Sequence, residues 1–156
     1  MVRCIIYGSA GLCPLYNITG DKKFLRFMDK EYKETYEFLY DKDARLFYRD
    51  HRYFTQKEAN GEKVFWGRGN GWVLGGLVEI LRELPAGNKY RTFYENLFVE
   101  LATRVATLQQ SDGFWRASML DLILILLRKP VVPVSLSMLW HTASTKDCCR
   151  KKNSFP

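Results

Sequence analysis

Apolar side chains recur at three- and four-residue spacing along three stretches of the chain, and the rhythm stops towards both ends. The first stretch places Phe24, Phe27, Met28, Tyr32, Tyr36 and Leu39 on one side, the period of a helix that buries a single face. Asp21 is a suitable N-cap for it, and its end is expected near Tyr40. The second runs from Trp72 to Leu84 with Val73, Leu77, Ile80, Leu81 and Leu84 inward, and Pro85-Ala86-Gly87 stops it. The third runs from Tyr90 to Gln110, with Phe93, Leu97, Leu101, Val105 and Leu108 on one side. Between the first and second, residues 41 to 61 are polar and turn-rich, with aromatic islands at Phe47-Tyr48 and Tyr53-Phe54 that suit short extended pieces. Helices joined by short turns predict an all-α chain built of antiparallel hairpins.

Charge first suggests a different class of protein. The net charge is +7 over 156 residues, which would fit a nucleic-acid or membrane-surface partner. Its location removes that implication: Arg128, Lys129, Lys146, Arg150, Lys151 and Lys152 follow Leu122 against one acid, Asp147. The helical part is therefore nearly neutral, and the basic tail lacks the interleaved aromatic residues of a nucleic-acid surface. The apolar run Leu122 to Leu127 is too short for a bilayer, which takes about 20 residues, so no membrane partner is expected either. Cys4, Cys13, Cys148 and Cys149 have neither CxxC nor metal-ligand spacing. No metal or cofactor is implied.

The densest chemistry lies at Trp66-Gly67-Arg68-Gly69-Asn70-Gly71-Trp72. Indole faces stack on the C–H faces of a pyranose, and an arginine fork grips a carboxylate through two hydrogen bonds. Interleaved glycines let a ligand or a neighbouring backbone come close. The same residues also suit a Gly-rich turn leading into a buried helix anchored by two tryptophans, and the pattern alone leaves both readings open.

Four motifs in order bear on that choice: Thr19 to Phe24, Leu46 to Asp50, Trp66 to Trp72, and Leu108 to Ser118. Together they resemble glycoside hydrolase family 105, the unsaturated rhamnogalacturonyl hydrolases, relatives of the family 88 unsaturated glucuronyl hydrolases. The resemblance covers about residues 15 to 121 and implies the central part of an (α/α)6 toroid. It implies an enzyme of pectin breakdown acting on an oligosaccharide that carries an unsaturated uronate. In the family an aspartic acid protonates C4 of the C4=C5 bond, water adds at C5, and the hemiketal opens to release the neighbouring sugar. One carboxyl able to give and take a proton suffices for that chemistry, without the paired carboxylates of ordinary glycosidases.

By motif match, Trp66, Arg68 and Trp72 correspond to substrate-holding residues. Asn70 suits stabilisation of the turn. Arg49 stands where many members have a histidine, His51 lies two residues on, and Trp115 is placed either to line the cleft or to pack. Among the remaining carboxylates, Asp50 suits a salt bridge beside Arg49, and Asp112-Gly113 reads as a turn.

Both ends depart from the pattern. Read from the third base of the Leu122 codon, permissible codons spell a segment resembling the family's continuation. Residues 1 to 12, read from the second base of each codon, resemble the segment that holds the catalytic aspartate. Residues 1–14 and 122–156 are accordingly expected to be out of frame or disordered. The triplets for the aspartate would fall across Arg3 and Cys4, so the chain as written carries no catalytic residue. The alternative to an enzyme is a non-catalytic helical piece with residual sugar binding. Localisation is not readable, although the resemblance suits a bacterial cytoplasm or periplasm, and neither is oligomeric state.

Overall fold

The computed structural model describes residues 11–121. The apolar run after Asp121, the basic tail and the triplets across Arg3 and Cys4 lie outside them. The architecture is helical, with one small hairpin between the second and third helices: α1 Leu12–Thr19, α2 Lys23–Leu39, β1 Tyr40–Asp41, β2 Leu46–Phe47, α3 Gly67–Glu83 and α4 Arg91–Thr107. No helix among the described residues is long and apolar enough to cross a membrane.

Helix α1 was not evident in the periodicity. It is short, ends at Gly20 with φ +70° in the left-handed region, and packs against α2 and α3. Its buried Cys13 donates to the Met28 sulfur across 3.2 Å. Burial raises the Cys13 thiol to about 11, with the Glu83 charge adding to the shift. The cap position of α2 falls on Lys22, one residue after the expected Asp21, whose carboxylate still accepts from the Lys23 amide at 2.9 Å.

The buried face of α2 is Leu25, Met28, Asp29, Tyr32, Thr35 and Leu39. Phe27, expected inside, is 57% exposed. It lies roughly a third of a turn from the Met28–Tyr32–Leu39 line, and Leu25 on the opposite flank is the residue buried instead.

The chain leaves α2 directly into an antiparallel hairpin that pairs Tyr40 with Phe47 and Asp41 with Leu46. Asp41 organises the turn: its Oδ1 accepts from the amides of Asp43 at 3.1 Å and Ala44 at 2.8 Å. Its Oδ2 accepts from Tyr48 Oη at 2.9 Å and Lys63 Nζ at 2.6 Å. Of the two aromatic islands, the first supplies the expected extended piece. The second is a 3-10 turn, His51–Tyr53, capped by Asp50.

Helix α3 begins five residues before the expected start, taking in the glycine-rich motif, and packs against α4. Arg91 seals their junction by donating to the Leu81 carbonyl at 2.8 Å and the Leu84 carbonyl at 2.6 Å. These two carbonyls would otherwise be among the unpaired acceptors at a helix C-terminus. The inner face of α4 is Tyr94, Leu97, Leu101, Ala102 and Val105. Phe93 and Leu108, expected on that face, are half-buried at its margin. Tyr94 meets Tyr32 edge to face at 5.1 Å and donates to Asp29 at 3.3 Å, joining α2 to α4. Arg104 reaches the hairpin turn, donating to the Ala44 carbonyl at 2.9 Å.

Candidate functional site

The last described segment folds back on the Trp66 junction. Trp66 and Ser118 form an antiparallel bridge, with the Gly67 amide donating to the Ala117 carbonyl and the Met119 amide to the Phe65 carbonyl, both at 2.9 Å. That crossing explains Gly67. A Cβ there would stand 2.5 Å from the Arg116 carbonyl oxygen, closer than a methyl group can approach, so only glycine admits the returning strand.

Asn70 joins the junction to the upstream loop. It is fully buried, its Oδ1 accepts from the Phe47 amide at 2.8 Å, and its Nδ2 donates to the carbonyls of Phe47 at 3.1 Å and Trp66 at 3.2 Å. This carboxamide pairs with the backbone as a neighbouring strand would, and its depth gives it a structural role.

The four remaining residues of the junction and loop face outward in differing degree. Arg68 is exposed, and no ion pair holds its guanidinium among the described residues. Trp72, four residues on along α3, is half-buried on the same face. Trp66 is half-buried, and its indole N–H is buried with no hydrogen bond among the described residues. Its ring meets Tyr53 edge-on at 6.1 Å. The Arg49 guanidinium lies over both rings, 5.9 Å from the Trp66 centre and 5.7 Å from that of Tyr53.

Asp50 is gripped by Arg52, with both carboxylate oxygens 3.0 Å from the guanidinium. The Arg52 hydrogen bonds outweigh burial and hold the Asp50 carboxyl down at about 2. His51 is exposed on the 3-10 turn. A depression of about 290 Å³ beside Asp50 and His51 is walled by Glu31, Glu34, Thr35, Phe38 and Leu39 of α2.

Trp115 packs: it is buried, and its indole N–H donates to the Val105 carbonyl at 2.7 Å. Asp112-Gly113 is the turn expected of it, with Gly113 at φ +81° and the Asp112 carboxylate accepting from the Phe114 amide at 3.0 Å. Hydrogen bonds from the Phe114 amide and Arg116 lower the Asp112 carboxyl. The described residues hold no cluster of His, Cys, Asp and Glu able to bind a metal ion.

The structure thus brings Arg49 and Tyr53 to Trp66, ties Asn70 beneath that indole, leaves Arg68 and Trp72 on the first turns of α3 that follow, and packs Trp115 against α4. Tyr53 was missed from the sequence. Its signal was the four-residue spacing from Arg49, obscured because the segment read as extended.

Residues 5–122 match Glycosyl Hydrolase Family 88. The chain is 51% identical over 118 residues to the "Unsaturated 3S-rhamnoglycuronyl hydrolase" of Formosa agariphila, a match that takes in 69% of this chain and 31% of that protein. It spans under a third of the length of the curated relatives it matches. A solved "Glycosyl hydrolase family 88 from Bacteroides vulgatus" superposes with a TM-score of 0.74 at 33% identity, over 77% of this chain and 35% of that one. A structure described as a "Polysaccharide Lyase" superposes equally well at 39% identity, over 77% and 34%. Family 105 structures share the fold at 19% identity, with TM-scores of 0.63 and 0.56. The hairpins of α2 to α4 are thus part of an (α/α)6 toroid, and the chain belongs to Glycosyl Hydrolase Family 88.

Proposed function

We propose that the whole protein removes an unsaturated uronate from rhamnose-containing oligosaccharides left by a polysaccharide lyase, by hydrating the C4=C5 bond of the uronate. The observation that carries this reading is the junction: half-buried Trp66 and Trp72 lie on either side, in sequence, of an exposed Arg68 that has no ion pair among the described residues, residue types suited to a sugar ring bearing a carboxylate. The name of the Formosa agariphila relative, an unsaturated 3S-rhamnoglycuronyl hydrolase, supports an unsaturated uronate joined to rhamnose. Rhamnogalacturonan from pectin is one source of such a unit and the first to assay.

In this chemistry a carboxylic acid delivers a proton to C4, water adds its hydroxyl at C5, and the resulting hemiketal opens with loss of the adjoining sugar. The described residues supply the grip. Arg68 pairs with the uronate carboxylate, and Trp66 and Trp72 cover ring faces. In the whole protein, Arg68→Ala should weaken binding of the unsaturated uronate by about 1.5–3 kcal/mol, the range for a charged hydrogen bond. Unchanged affinity in that variant would remove Arg68 from the subsite.

A second reading is favoured by Asp50, the carboxylate next to Arg49 in the loop. With its carboxyl held at about 2 by Arg52, it is ionised at neutral pH and has no proton to donate. The chain as written is then a sugar-binding piece without turnover, in keeping with an aspartate lost across Arg3 and Cys4. Ultraviolet absorbance of the conjugated double bond decides between the two. The 156-residue chain should leave it unchanged, while the product of a resequenced, frame-corrected gene should abolish it. Comparable turnover by both would refute the missing-acid reading.

A further inference from the structure

Helix α2 carries its outward charges against the direction that its own dipole favours. Lys23, Arg26 and Lys30 lie in its N-terminal half, next to Lys22 at the cap, and Glu31, Glu34 and Glu37 follow from the middle onward. Its first turn holds no acid and its last turn no base, whereas a helix dipole favours acids at the start and bases at the end. Asp29 and Lys33, the two residues that break the pattern, pair with each other at 2.9 Å on the flank nearer α4. Each half also presents an uncovered ring, Phe27 at 57% and Phe38 at 60% exposure. The two rings stand on one side of the helix, three turns or roughly 16.5 Å apart. Phe27 walls an open depression together with Leu12, Phe24, Lys23, Arg26 and Lys30, and Phe38 stands with Glu31 and Glu34 at the depression beside Asp50.

We propose that this face of α2 docks a second copy of the chain, with the two α2 helices antiparallel about a two-fold axis at the level of Tyr32 and Lys33. The face is complementary to itself, as a two-fold interface requires. Turning one helix end over end brings Phe27 of each copy level with Phe38 of the other, so that Phe38 meets the depression rimmed by Lys23, Arg26 and Lys30. The basic half then faces an acidic half at both ends, and the two helix dipoles oppose each other. A parallel copy would set base against base and acid against acid. Pairing within α2 offers little competition: Lys30 and Glu34 are 3.8 Å apart and both well exposed, a geometry that contributes little on its own.

Sedimentation equilibrium of the 156-residue chain over a range of concentrations tests the proposal. The mass should rise to that of two chains and stop there, because a two-fold interface closes on itself. Lys23→Glu with Lys30→Glu makes the face wholly acidic, and Glu34→Lys with Glu37→Lys makes it wholly basic. Each of these double variants should dimerise at least about tenfold more weakly, since like charges then meet across the interface, and an equimolar mixture of the two should recover the dimer. Phe38→Gln, which changes no charge, should weaken the dimer as well, and far-ultraviolet circular dichroism of every variant should match that of the unaltered chain. Assembly that grows past two chains, or that Phe38→Gln and both charge variants leave unchanged, places association on other apolar faces and overturns the inference. If the mixture of folded charge variants stays monomeric, the charges do not meet across an interface and the inference falls. A monomer at every concentration leaves the face to a neighbouring hairpin of the closed toroid and overturns it too.

Discussion

Asn70 and Asp50 show how much single side chains do at this junction. The Asn70 carboxamide makes three hydrogen bonds to backbone groups in a fully buried position. Asn70→Ala would leave the Phe47 amide and carbonyl without their side-chain partner, while the Trp66 carbonyl keeps its bond from the residue 70 amide, at a cost of about 1–3 kcal/mol for each group that water cannot reach. Amide hydrogen exchange checks this directly: the Phe47 N–H should lose at least tenfold protection in the variant, and retained protection would show that another acceptor replaces Asn70. Asp50 gives the pH dependence. Its carboxyl is depressed from the ordinary 3.8 to about 2 by Arg52, so the pairing stabilises the folded loop above about pH 4 and is lost as pH falls through 2. A carboxyl-carbon NMR titration of Asp50 should have its midpoint near 2, and a midpoint near 4 would show that the ion pair does not persist in solution.

At the scale of elements, helix α3 shows most clearly where sequence reading succeeds and where it stops. Val73, Leu77, Ile80 and Leu81 announced its buried face, and all four are buried. Its first turns were hidden because Gly67, Gly69 and Gly71 have poor intrinsic helix propensity. What overrides propensity is a tertiary contact with residues about 50 positions later, the crossing at Arg116 and Ala117, which no local pattern encodes. Phe27 and the 3-10 turn at His51–Tyr53 were misplaced for a related reason: apolar character marks a surface without fixing which neighbour covers it. The residue types of the candidate site, Trp66, Arg68 and Trp72, stand out in the sequence, whereas the approach of Arg49 to the Tyr53 and Trp66 rings required the loop to be built. Two glycines in α3 should respond oppositely to alanine. Gly67→Ala collides with fixed backbone and should destabilise by about 1–3 kcal/mol. Gly69→Ala meets nothing nearer than the Trp66 Cβ at 3.8 Å and should stabilise by about 0.4–1 kcal/mol through the unfolded chain. The midpoint of the helical circular-dichroism signal in denaturant measures both, and a shift of equal sign in the two variants would contradict the crossing.

At the scale of the whole molecule, the described hairpins form one core yet leave large apolar side chains uncovered. Ile18, Phe27, Phe38 and Val99 are each more than half exposed, and Leu12, Phe24 and Phe27 wall an open depression of about 540 Å³ with Lys23, Arg26 and Lys30. In a closed toroid each hairpin packs on its neighbours, whereas the chain spans under a third of the length of its curated relatives. Uncovered faces of this kind drive association. The isolated chain should therefore bind a hydrophobic dye, associate as concentration rises and melt broadly, and a sharp cooperative transition of a monomer would show it to be self-sufficient. The Asn70 clasp bears on a different matter, the ease with which such a scaffold changes ligand. Because it grips only main-chain atoms of Phe47 and Trp66, it is indifferent to which side chains the adjoining loop displays. Residues 49 and 51 can then differ without loosening the clasp that positions their loop, so the side chains displayed there can change by single substitutions on an unaltered frame.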